Sequence, residues 1–305
     1  MKLFFSFFTI LFLTFCNTDS ESISKSSKVS YTPPITSKSK IEDYKKKDTL
    51  KYQLSWLTGF DANNMLINRI EPPEGYQRKN STINTFTHWI RRLPLKEGTP
   101  NVILYNGEEK WNQDAHAYVF DLDIGTRDLQ QCADATMRIR AEYLYHTKQF
   151  DKIHFNYTNG AYVPYSKWKN GYYPIPKGGS VSWVKKEKCN ASYKSFKSYL
   201  IQVFNFAGTH SLSKELTSVP YSEMQVGDIL IKGGFPGHAV MIVDLIENNE
   251  GEKMYLLAQS YMPAQNFQLL KSPYSNSPWY KLDLDATSIN TPEWTFTPSQ
   301  LKRWN

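Results

Sequence analysis

Two side chains in this sequence of 305 residues could together carry out acyl transfer: the thiol of Cys132 and the imidazole of His238. A cysteine becomes a nucleophile when its proton is removed, and histidine is the side chain best able to remove it near neutral pH. Cys132 stands near the start of the longest helix-like pattern in the chain. There the helix dipole and unpaired amides favour negative charge, so its thiol is expected to titrate below the ordinary value of about 8.5. His238 opens a β-branched apolar run directly after Gly237, whose missing side chain lets another group come close. Gln259 lies on the next apolar run and can orient the imidazole. Asp244 is the poorer orienter, because it lies further along the same run as His238. Backbone amides beside Cys132, with Gln130 or Gln131, would form the oxyanion hole. Two plainer readings stand beside this one. Cys132 falls on an apolar stripe and can be a small core residue, or it can pair with Cys189 in a disulfide. His238 can likewise simply cap a hairpin. The other histidines, His88, His116, His146, His154 and His210, show no paired ligand spacing on one helix face, so neither a metal nor another cofactor is expected.

These side chains need elements to hold them. Residues 227–244 read as a hairpin, two apolar runs joined by Gly233-Gly234-Phe235-Pro236-Gly237. Residues 254–260 read as a strand and 267–270 as another. Over residues 129–148, Leu129, Cys132, Ala133, Thr136, Met137, Ala141 and Leu144 recur at three-four spacing, which predicts a helix. Arg140 shares that stripe and needs a partner or a route to solvent. Asp128 suits its N-cap, with Gln131 completing a capping box. A second helix is expected over 193–206 and a short one over 86–92. Strands are expected over 102–105, before the turn pair Asn106-Gly107, and over 117–124. Residues 156–190, dense in Tyr, Trp, Gly, Pro and Lys, read as long irregular loops. Their aromatic part, residues 157–183, suits a stacking surface, so a non-catalytic protein binding peptide or glycan is the alternative function. The expected fold class is α+β: one domain over residues 50–305, with a cysteine-bearing helix packed on an antiparallel sheet.

The first residues carry one early cation, Lys2, and then an apolar run too short to span a bilayer, which takes about 20 residues. That is the pattern of a secretory signal. The run ends Leu13-Thr14-Phe15-Cys16 and resembles a bacterial lipobox, which implies acylation of Cys16 and a membrane lipid as partner. Residues 17–49, rich in Ser, Lys, Thr and Pro, cannot bury enough apolar surface to fold and read as a flexible tether. The expected location is the bacterial cell envelope, on the outer or inner membrane. A net charge of +7 suits an anionic envelope polymer or membrane surface. The lysines are scattered and no nucleic-acid motif is present, which argues against nucleic acid. A monomer is expected.

Several stretches together resemble one family. Arg127-Asp128-Leu129-Gln130-Gln131-Cys132-Ala133-Asp134-Ala135, Arg140-Ala141-Glu142-Tyr143-Leu144 and Glu71-Pro72-Pro73-Glu74-Gly75-Tyr76 are three of them. Leu93-Pro94-Leu95, Gly234-Phe235-Pro236-Gly237-His238 and Gln259-Ser260-Tyr261-Met262-Pro263-Ala264-Gln265 are the others. They resemble a family of bacterial envelope lipoproteins known as domain of unknown function 4846, over most of the chain from about residue 50. More loosely, the helix cysteine with its later Gly-His hairpin is similar to papain-like, NlpC-type cysteine hydrolases. Gln259 stands where that family often has a third histidine. This likeness implies a papain-like core, with Cys132, His238 and Gln259 as nucleophile, base and orienter. Peptidoglycan or another envelope peptide is the expected substrate.

Overall fold

The apolar runs on either side of the Gly-Pro turn pair with each other, and the rest of the sheet is laid against them. The structure, a computed structural model, describes residues 54–305, which lie in one compact unit. The expected leader with Cys16, and the tether over 17–49, lie outside the described residues. In chain order the main sheet contains β1 (Tyr76–Arg78), β2 (His116–Val119), β3 (Thr217–Ser218), β4 (Ile229–Lys232) and β5 (His238–Asn248). It continues with β6 (Lys253–Gln259), β7 (Gln268–Leu270), β8 (Tyr280–Lys281) and β9 (Leu301–Arg303). The spatial order is β2-β7-β6-β5-β4-β9-β3, with β1 added to β5 and β8 to β6. The pairings are antiparallel. The main helices are α1 (Cys132–His146), α2 (Tyr193–Phe204) and α3 (Thr209–Glu215). The fold is therefore mixed α and β around a large antiparallel sheet.

Successive strand residues point to opposite faces, and here both faces are covered. Ala239, Met241 and Val243 of β5 join Leu256 and Ala258 of β6 in a core with Ala133, Met137 and Ala141 of α1. Val240, Ile242, Tyr255 and Leu257 turn to a second core with Leu270, Phe296 and Leu301. That double burial explains why these runs are apolar without alternation. Each fully buried aliphatic side chain contributes about 1.5–3 kcal/mol relative to exposure.

Three expectations change. First, α1 begins at Cys132, not at Leu129, with Gln131 as N-cap. Asp128 cannot cap it, because its Oδ1 accepts from the Ala264 amide at 2.7 Å and from Gln131 Nε2 at 3.0 Å. Asp134 takes over by accepting from the Gln131 amide at 3.1 Å. Second, residues 156–190 are not irregular. They form hairpin strands His154–Asn156 with Tyr162–Pro164, then Tyr172–Lys177 with Ser180–Lys185, around a short helix Tyr165–Lys169. Tyr157, Tyr165 and Trp168 are core residues, while Tyr162 and Tyr172 are exposed. Third, 102–105 makes isolated bridges, Ile103 to Glu109 and Leu104 to Gln265, instead of a strand. Among the described residues no helix is long and apolar enough to cross a membrane.

Candidate active site

Lys232 of β4 faces His238 across the hairpin, so the imidazole leaves the first residue of β5 beside the Gly-Pro turn. Gly237 makes this possible. A Cβ there would lie 2.3 Å from Thr209 Oγ1 and 2.5 and 2.7 Å from the carbonyl oxygens of Gly234 and Lys232. Thr209, the first residue of α3, donates to the Gly234 carbonyl at 3.2 Å. The turn thus closes against α3 where residue 237 has no side chain.

His238 is only 2% exposed. Its Nε2 lies 2.7 Å from Oε1 of Gln259, the last residue of β6. The Gln259 amide nitrogen donates in turn to Glu293 Oε2 at 2.8 Å. Glu293 also accepts from Lys110 Nζ at 2.5 Å and from Asn112 Nδ2 at 3.2 Å. The rings of Tyr261, Trp294 and Phe296 surround the imidazole, with centroids at 4.7, 5.2 and 5.9 Å. Burial among these rings disfavours the imidazolium and pushes His238 down to about 4. The Gln259 bond opposes that shift and the Lys110 charge adds to it.

Cys132 is the first residue of α1, which packs on β5. Its thiol is pushed up to about 11, first by burial and then by the Asp134 carboxylate. The backbone N–H groups of Ala239, Ala133 and Cys132 act the other way. Ala239 follows His238, so α1 brings the sulfur to the end of β5 that carries the imidazole. Tyr261 links them: its ring lies on His238, and its phenol is pushed up by burial, then by Glu293 and Cys132. The expected low-titrating thiolate is therefore corrected. Desolvation outweighs the helix start, and thiol and imidazole are both neutral at pH 7.

The remaining expected residues sort as follows. The Gln130 side chain is committed below the helix start, donating to the Asp123 carbonyl at 3.3 Å and accepting from Arg138 at 2.7 Å. The Gln131 side chain donates to Asp128. The first-turn backbone N–H groups, which a helix leaves without internal partners, are the donors near the sulfur. Asp244 is fully buried and held by Arg78 Nε and Arg91 Nε, each at 2.7 Å. It braces β5 and does not touch His238. Cys132 and Cys189 are both free thiols, Cys189 being buried. Among the described residues no group of histidines, cysteines and carboxylates could hold a metal ion.

Sequence reasoning missed Lys110, Asn112, Tyr261, Glu293, Trp294 and Phe296. Glu293 is flanked by Pro292 and Trp294 in an aromatic tail, and a lone carboxylate in such a run was the one signal available. Around the site, Trp111, Phe235 and Met262 are exposed at 89%, 91% and 65%, each within a few residues of Lys110, His238 or Gln259. Leu129, Ile201 and Phe204 line a separate cleft of about 170 Å³ together with Asp123, Arg138 and Lys197, and neither Cys132 nor His238 reaches it.

A family model described as a domain of unknown function (4846) matches residues 66–303, most of the chain. No curated protein and no solved structure matches.

Proposed function

We propose, from the premise that the chain belongs to the family of domain of unknown function 4846, that it is a papain-like cysteine hydrolase acting on amide or ester bonds. The observation that carries this reading is the 2.7 Å bond from His238 Nε2 to Gln259, beside a helix that starts on Cys132. With Nε2 occupied by Gln259, Nδ1 is the nitrogen left to take the thiol proton. Because thiol and imidazole rest neutral, proton transfer accompanies attack and no ion pair forms beforehand. The sulfur bonds to the carbonyl carbon as its proton passes to Nδ1, and the carbonyl electron pair moves onto oxygen. Backbone N–H groups of the first turn of α1 stabilise that oxyanion. The imidazolium then gives its proton to the leaving amine or alcohol as the bond to the carbonyl carbon breaks, leaving a thioester. Water, deprotonated by the same imidazole, hydrolyses the thioester and restores the thiol.

The protein acts at the bacterial envelope, tethered by an acyl group on Cys16, and its substrate is a cell-wall or envelope peptide. The exposed Trp111, Phe235 and Met262 suit the side chains of such a peptide. The test is release of new amino or carboxyl ends from purified envelope peptides. Wild type is expected to release them and Cys132→Ala and His238→Ala not. Equal release by all three would remove the hydrolase reading.

A further inference from the structure

His238 can serve as a base at Nδ1 only in one of its two neutral tautomers, the one carrying its hydrogen on Nε2. Nothing in an imidazole beside an amide selects that form, because a glutamine offers oxygen on one side and NH₂ on the other. Had Gln259 presented its NH₂ to Nε2, the hydrogen would sit on Nδ1 and that nitrogen could not accept a proton. The choice must come from beyond Gln259.

We infer that Glu293, held by Lys110, is a positioning residue that fixes the direction of the Gln259 amide and so the tautomer of His238. A carboxylate can only accept hydrogen bonds, and Glu293 Oε2 sits 2.8 Å from the Gln259 amide nitrogen. The NH₂ group must therefore face Glu293 and the Oε1 must face His238. An oxygen at 2.7 Å from Nε2 requires the hydrogen there. Lys110 pairs with the carboxylate: the ammonium lies 2.5 Å from Oε2, and the two side chains are 3% and 6% exposed. Asn112 Nδ2 occupies the other carboxylate oxygen at 3.2 Å. Direction thus passes along one line, from Lys110 to Glu293 to Gln259 to His238. This inference rests on the hydrolase reading for its meaning but not for its test, since a tautomer is read without turnover.

The experiment is long-range ¹H–¹⁵N correlation spectroscopy of His238 in the folded protein near neutral pH. In wild type, Nε2 is expected to be pyrrole-like and Nδ1 pyridine-like, a single Nε2–H tautomer. An Nδ1–H tautomer in wild type would overturn the inference with no variant made. The informative variant replaces the buried ion pair by apolar side chains, Lys110→Met together with Glu293→Leu, an exchange that is often neutral for stability. Freed of its acceptor, Gln259 can turn over, so His238 is expected to show both tautomers. A folded double variant that keeps only the Nε2–H form would show that the amide is oriented by something else. Absence of hydrolysis by a wild type with the expected tautomer would count against the hydrolase reading alone.

Discussion

Acidification should weaken this fold through His238, by an amount the structure specifies. The imidazole is held to about 4 in the folded chain against 6.5 in a solvated one. As pH falls below 6.5, the unfolded chain binds a proton at this position that the folded chain refuses until about 4. Stability is therefore full above the unfolded value, lost between the two, and constant again below the folded value. At about 1.4 kcal/mol per pKa unit the loss is roughly 3 kcal/mol, most of it between about pH 7.5 and pH 4.5. The assay is urea unfolding of wild type and His238→Gln at those two pH values. Other groups titrate on acidification as well. Glu215, pushed up to about 7 by burial, gains stability as pH falls. Asp123, lowered to about 2 beside Arg138 and Lys197, begins to lose it only near 3.8. Both are present in both chains and cancel in the difference of differences. The wild-type midpoint should then fall by roughly 1 M urea more than that of the variant, for a slope of about 1–3 kcal/mol per M. Equal falls would refute the claim that the ring is buried in its neutral form.

Further outcomes are expected. Iodoacetamide should modify Cys132 slowly at neutral pH, with a rate rising about tenfold per pH unit toward its ionisation near 11; a plateau below pH 8 would contradict a thiol that rests neutral. Asp244→Asn, which leaves Arg78 and Arg91 without their buried carboxylate, should cost about 3–5 kcal/mol in urea unfolding, and an unchanged midpoint would contradict its bracing role. Cys16→Ser should shift the protein from the membrane to the soluble fraction after cell fractionation, and unchanged partitioning would dispose of the acyl anchor.

Much of the frame was legible because it is local. The hairpin announced itself through β-branched runs around a Gly-Pro turn, and the placement of His238 at a strand mouth followed from it. Gln259 could be proposed because β6 follows β5 directly, so adjacency in sequence became adjacency in the sheet. The start of α1 was not legible. Asp128 carries the composition of an N-cap, but the Ala264 amide, 136 positions along the chain, takes its carboxylate. Burial was also hidden. The three-four stripe on α1 suggests one apolar face, yet Arg138 and Glu142 on the other faces are buried too, within a network with Asp123 and Tyr193. The aromatic stretch over 157–183 read as loops because its Tyr and Trp residues could be interior or surface, and only packing decides that. The support behind Gln259 is the clearest case. Lys110, Asn112 and Glu293 meet from two remote segments, and no spacing within either one announces the contact.

The central claim, that Cys132 is a nucleophile served by His238, is tested most directly by trapping the acyl group. The folded protein is mixed with p-nitrophenyl acetate, quenched in acid, and mapped by mass spectrometry. The account predicts an acetyl group on Cys132 and none on Cys189, formed far more slowly in His238→Ala. Wild type without an acetyl group on Cys132, or acetylation at the same rate with and without the imidazole, would contradict it.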